Sequence, residues 1–165
     1  MPFTHSLHHS FKIQPMRIVV QRVTQASVEI EKEIKGQIGH GLLLLAGFTP
    51  EDTEEDLKWT AAKVAQLRIF NDTEGKLNLS VQDVQGDVLA ISQFTLFAST
   101  RKGNRPSYTN AAPPAIAIPL YNRFVQVLEQ ALGKPVQTGE FGADMKVSLL
   151  NDGPVTITID SKNRE

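Results

Sequence analysis

The chain has 165 residues, 41% of them hydrophobic, no cysteine and a net charge of -1. That is apolar material enough for one core without disulfides or a structural metal, and it excludes thiolate catalysis and Cys-ligated zinc. The near-neutral balance also excludes a protein that coats nucleic acid through many phosphate contacts, so any such contact is local.

Residues 1–15 hold three of the four histidines and no acidic residue, and they lack the apolar block of a secretory signal. They read as a disordered leader, with a single domain over 16–165 that opens at Met16. The longest apolar stretch, residues 42–48, falls far short of the roughly 20 residues a membrane span requires. A soluble, cytoplasmic protein is expected.

Residues 16–23 are rich in Ile and Val, and Val28 and Ile30 share a face within 27–31, so two strands are predicted. Gly36, Gly39 and Gly41 punctuate the chain before 42–47, a run suited to a strand buried on both faces. After Pro50, Thr53 stands three residues before Asp56, the spacing of a capping box. The helix it opens has Leu57, Ala61, Val64 and Leu67 on its apolar face and runs to about Ile69. Residues 71–75 carry turn chemistry, 87–98 form the next strand, and 101–114 read as a long loop.

A second helix is predicted over roughly 118–132, with Pro119 in its first turn and Gly133 as its stop. Residues 136–139, 145–150 and 155–159 are strand-like. The last two are expected to be joined by a hairpin turn at Asn151-Asp152-Gly153-Pro154. The fold class this order implies is α+β or α/β: mixed, strand-rich sheets forming a barrel-like β layer with two main helices.

Few side chains suit catalysis. In the strand 87–98, Ser92, Gln93 and Thr95 interrupt mostly apolar faces and are either hydrogen-bonded core residues or part of a site. His40 is the one histidine beyond the leader, and its glycine neighbours suggest a turn residue rather than a base. A Ser-His-Asp site and a histidine-rich metal site are both unsupported. Glu54 and Glu55 read as charges at a helix start. Arg101, Lys102 and Arg105 form the densest basic patch, on a loop, with Tyr108 as one nearby aromatic.

Taken in order, Gln21-Arg22-Val23, Leu67-Arg68-Ile69-Phe70, Gly75-Lys76-Leu77-Asn78 and Ser92-Gln93-Phe94-Thr95-Leu96 resemble the bacterial-type D-aminoacyl-tRNA deacylase family. Gly103-Asn104-Arg105-Pro106-Ser107, Leu120-Tyr121, the run 138–145 and the run Asn151 to Thr156 continue that resemblance, which covers residues 16–160. Leu77 stands where the family often has methionine, a volume-conserving difference. The resemblance implies a D-aminoacyl-tRNA deacylase-like fold and hydrolysis of the ester between a D-amino acid and the terminal adenosine of tRNA. It implies no cofactor and no metal. It also implies a homodimer in which a cis Gly153-Pro154 bond enters the partner's active site.

On that basis, the backbone amides near Phe94 and Thr95 are expected to stabilise an oxyanion. Gly153, Pro154, Ser92, Gln93 and Arg22 would bind substrate and reject the wrong hand. Phe141, Gly142, Ala143 and Met145 would line an adenine pocket. Glycine, with no side chain to reject, would pass such a filter, so glycyl-tRNA mischarged on tRNA-Ala is an expected second substrate. Two other readings stand beside this one. One is a sister deacylase that removes wrongly attached L-alanine or glycine, and the other is a non-catalytic RNA-binding module.

Overall fold

The structure, a computed structural model, describes residues 16–164; the expected leader at 1–15 lies outside the described residues. One long strand organises it. β1 (Arg17–Ile30) pairs antiparallel along one edge with β8 (Lys146–Asp160). Along its other edge it meets β3 (Gly41–Gly47) with its first half and β2 (Glu33–Ile38) with its second. The two strands expected at 16–23 and 27–31 are therefore one. Thr24 and Gln25, between the two expected runs, stay extended and exposed where the register against β8 shifts.

That bulge reassigns the faces of the strand. Ile18 and Val20 pack toward the helices, whereas Val23 and Val28 pack into a second, smaller core. β2 was not anticipated, because its Glu33, Lys35 and Gln37 are solvent-facing and Gly36 resembled loop punctuation. Gly36 is in fact required by crowding: a Cβ there would lie 2.8 Å from the carbonyl oxygen of Thr138 and 3.2 Å from Leu89.

The sheet continues from β3 through β6 (Asp87–Ser92) to β7 (Gln137–Thr138), both steps parallel. Leu42, Leu44, Val88 and Ala90 face α1 (Glu54–Gln66) and α2 (Pro114–Leu132), and Leu43, Leu89 and Ile91 face the inside of the curl formed with β2. Both faces of β3 are buried, which accounts for its unbroken run of leucines. The expectation of a mixed, barrel-like β layer with two main helices describes this arrangement. A two-stranded hairpin, β4 (Phe70–Asn71) and β5 (Leu77–Leu79), turns on Asp72, whose carboxylate accepts from the Glu74 and Lys76 amides.

The capping box of α1 is present, with Thr53 and Asp56 bonding each other's backbone. The helix stops at Gln66 rather than near 69, because Leu67 turns extended and frees Ile69 and Phe70 for the core. α2 begins at Pro114, not 118: Pro113 is the N-cap and Pro114 takes the first turn, so Pro119 lies inside the helix. Gly133 closes it as a left-handed C-cap, as expected.

Two larger differences bear on function. The strand expected over 87–98 ends at Ser92, and Phe94–Phe97 wind into a 3-10 turn. The last ladder bond is Gln93 N–H to Ala46 O; beyond it the turn buries Phe97 and leaves Phe94 outside. Second, residues 151–154 do not make a hairpin. β8 runs straight through them, with Asn151 opposite Val23 and Thr156 opposite Gln21, so 152–155 bulge opposite Arg22 alone. Turn-forming residues break the ladder here without reversing the chain, because both flanks keep their pairing to β1. Among the described residues, no helix is long and apolar enough to cross a membrane.

Candidate active site

The first half of the candidate site is the end of β6 and the 3-10 turn after it. Gln93 Nε2 donates to Thr95 Oγ1, fixing both side chains at the turn. The turn is closed by Leu96 N–H to Gln93 O and Ala98 N–H to Thr95 O. This places the Phe94 and Thr95 amides at its N-terminal end, where a helical turn offers no backbone acceptor of its own. Ser92, Gln93 and Thr95 are partly buried, while Phe94 is 53% exposed and packs edge to face on Tyr108 at 5.2 Å.

The second half is the β8 bulge. Arg22, buried in β1, donates through Nε to Asp152 O at 2.9 Å and through one terminal nitrogen to Ile69 O at 2.9 Å and Asn71 Oδ1 at 3.3 Å. A second terminal nitrogen lies 2.9 Å from where a Cβ on Gly153 would stand. Gly153 has φ 129°, a value that L side chains rarely adopt, and the Gly153-Pro154 bond is cis, as the family resemblance implies. Gly153 and Pro154 are both exposed.

His40, read in the sequence as a turn residue, stands beside the bulge. His40 does sit in the bend between β2 and β3, but its ring packs edge to face on Phe70 at 5.1 Å and its Nε2 lies 3.9 Å from Asp152 Oδ2. The bulge is thus approached by Arg22 from one side and His40 from another. Nothing in the local sequence signals this, since both partners are more than a hundred residues from Asp152.

The residues expected around adenine divide between the two cores. Phe141 packs on Tyr121 and the helix-facing core, and Tyr121 donates to Ala90 O in β6. Met145 belongs to the smaller core, with its sulfur 2.6 Å from where a Cβ on Gly139 would stand. Gly142 is exposed, with Ala143 in the turn closed on Glu140 O. Among the described residues, no hydrogen bond, ion pair or ring contact joins the Gly153-Pro154 bulge to Ser92–Thr95 within one chain. A groove of about 770 Å³ lies elsewhere, between α1 and the end of β8, and touches the site segments only through Leu96.

A mixed sheet curled around a small second core, with a polar turn at the end of a parallel strand, defines a small α+β protein. Its relatives give the class a name. The profile of the D-Tyr-tRNA(Tyr) deacylase family matches residues 19–160, and the chain belongs to that family. A D-aminoacyl-tRNA deacylase of Flavobacterium johnsoniae is 58% identical over 150 residues, covering 91% of this chain and all of that one. Among solved structures, a c-Myc DNA unwinding element binding protein superposes with a TM-score of 0.81 at 41% identity, over 87% of this chain and 97% of that one. A probable eukaryotic D-amino acid tRNA deacylase, at 19% identity and TM-score 0.76 over 88% of this chain and 98% of its own, shares the fold.

Proposed function

We propose that this chain is a hydrolase of D-aminoacyl-tRNA, releasing the free D-amino acid and reusable tRNA as chiral proofreading in translation, in the cytoplasm. The observation that carries this is its 58% identity, over nearly its whole length, to a protein named as a D-aminoacyl-tRNA deacylase. In the reaction, water attacks the ester carbonyl and the C–O bond to the terminal ribose breaks, with a proton passing to the departing ribose oxygen. The negative charge that develops on the carbonyl oxygen is met by the Phe94 and Thr95 amides. The ribose 2'-hydroxyl of the terminal adenosine assists, so the RNA supplies part of the chemistry.

Thr95 orients substrate or water rather than attacking. The partner of its hydroxyl is an amide donor, Gln93 Nε2, which has no lone pair to take the proton a nucleophile must lose. Thr95→Ala is therefore expected to keep substantial activity. Complete loss of turnover, with fold and substrate affinity unchanged, would favour the nucleophile role.

The Gly153-Pro154 bulge supplies chiral rejection: its carbonyls accept from the substrate ammonium, leaving one side-chain direction open and closing the other. Ser92, Gln93 and Arg22 line that site, and Phe141, Gly142, Ala143 and Met145 hold the adenine. Glycyl-tRNA mischarged on tRNA-Ala is accepted too. The two half-sites meet across a homodimer. Three features support this: the exposure of Gly153 and Pro154, the outer edge of β8, unpaired among the described residues, and Leu149 and Leu150 exposed along that strand. The deciding assay compares matched D- and L-aminoacyl-tRNAs. Preferential L turnover would assign the chain to the sister activity, and no turnover on either would leave only RNA binding.

A further inference from the structure

From Val88 to Leu128 the chain contains no Asp or Glu, and it carries Arg101, Lys102, Arg105 and Arg123. Arg123 is spoken for by Glu54 on α1. Arg101, Lys102 and Arg105 are exposed, and none has an ion pair or hydrogen bond among the described residues. That sets them apart. Other arginines and lysines of the described residues, Lys32 excepted, engage a carboxylate, a carbonyl or, for Lys63, the Trp59 ring.

The loop bearing these cations is tied at its base, where Ser99 and Ser107 exchange two backbone hydrogen bonds of 2.7 and 2.9 Å. The residue after that base is Tyr108, 40% exposed and edge to face with the 53% exposed Phe94. Phe94 belongs to the 3-10 turn whose amides are assigned to the ester carbonyl. A solvated loop has no need of two large exposed rings beside three unneutralised cations. Rings that stack on bases, with cations that hold phosphates, are the combination that binds single-stranded nucleic acid.

We propose that the loop between Ser99 and Ser107, with the Phe94–Tyr108 pair, is the docking surface for the single-stranded 3' end of the RNA. Arg101, Lys102 and Arg105 hold phosphates on the 5' side of the terminal nucleotide, and Tyr108 stacks on an adjoining base. This rests on the deacylase reading and adds the subsite through which the RNA, rather than the amino acid, is held. It also accounts for how a chain of net charge -1 binds a polyanion: the positive surface is confined to one loop next to the reacting ester.

The test uses the triple variant Arg101→Ala/Lys102→Ala/Arg105→Ala, together with Tyr108→Ala and Tyr108→Phe, each checked for fold by circular dichroism. Binding is read by fluorescence anisotropy of a short single-stranded RNA ending in a free 3' adenosine. Hydrolysis is read on D-aminoacyl-tRNA and on the D-aminoacyl ester of adenosine, which has no phosphate. The triple variant is expected to bind the RNA roughly tenfold more weakly and to flatten the salt dependence by about 0.7 per lost phosphate contact. Its KM for tRNA should rise by a similar factor relative to its KM for the adenosine ester. Tyr108→Ala should weaken RNA binding by about tenfold and Tyr108→Phe much less.

RNA binding unchanged in the triple variant, or equal losses on both esters, would overturn the proposal. So would RNA binding insensitive to Tyr108→Ala and displaced by an acidic peptide, which would make the loop a protein-docking site. If the wild-type protein hydrolyses neither ester, the deacylase reading fails while the anisotropy arm still decides the surface.

Discussion

Arg22 shows how much one side chain carries here. Its guanidinium reaches the β8 bulge at Asp152, Ile69 just before β4, and Asn71 in β4, from a buried position in β1. Arg22→Ala should cost about 2–4 kcal/mol, because it strips donors from partly buried carbonyls, and should lower kcat as the bulge loosens. Arg22→Lys should recover part of the stability and little of the activity, since one ammonium cannot reach two directions through a fixed fork. Urea unfolding and steady-state kinetics read the two effects separately, and a Lys variant with wild-type kcat would refute this role. The sequence alone offered Arg22 only by family resemblance, since its partners lie 47 to 130 residues away.

At the scale of elements, what was readable was what depends on neighbours in sequence. The capping box of α1, the Gly133 stop of α2 and the doubly buried β3 all follow from local chemistry. β2, the 3-10 turn and the unbroken β8 do not, because each is decided by a strand or core distant in the chain. Gly36 illustrates this, since contact with β7 and with Leu89 of β6 explains the missing side chain. Gly36→Ala should push β2 from β7 and cost about 1–3 kcal/mol. Gly39→Ala, with nothing within 4 Å of the added methyl, should be nearly neutral. Equal denaturation midpoints for the two variants would contradict that assignment.

A second junction lies between β3 and α1, where burial is the largest influence raising the pKa of Asp52 to about 7, with Asp56 adding to it. One of its oxygens accepts from the Thr49 amide, and the other is buried with no hydrogen-bond partner among the described residues. Because the folded value lies above the ordinary one, Asp52 favours the fold in acid, and that contribution fades as pH rises from about 4 through 7. Asp52→Asn keeps an acceptor for Thr49 and cannot ionise. The variant should therefore melt higher than the wild type at pH 8 and lose the advantage near pH 4. Parallel melting curves across that window would show that the carboxyl is not the source.

For the whole molecule, the two candidate half-sites are legible as sequence motifs but share no hydrogen bond, ion pair or ring contact among the described residues, and periodicity cannot report what a second copy would contribute. The proposed homodimer makes a sharp demand. A protomer disabled at Gly153 by Gly153→Val and one disabled at Phe94 by Phe94→Pro, which removes the amide assigned to the oxyanion, should each be inactive alone. Mixed and refolded together, they should regain about a quarter of wild-type activity, since half the dimers are mixed and each has one intact site. Absence of rescue, with mixed dimers shown by mass, would place both halves of each site in the same subunit.

The β8 bulge has a consequence of another kind. An exposed strand of fifteen residues is a template on which foreign chains can add, the first step toward fibrils. Proline has no amide hydrogen to offer an incoming strand, and the bulge divides the edge into two short runs out of phase with each other. Sheet growth along that edge is blunted. The segment proposed to tell one hand of amino acid from the other is also the one that interrupts the protein's own free edge.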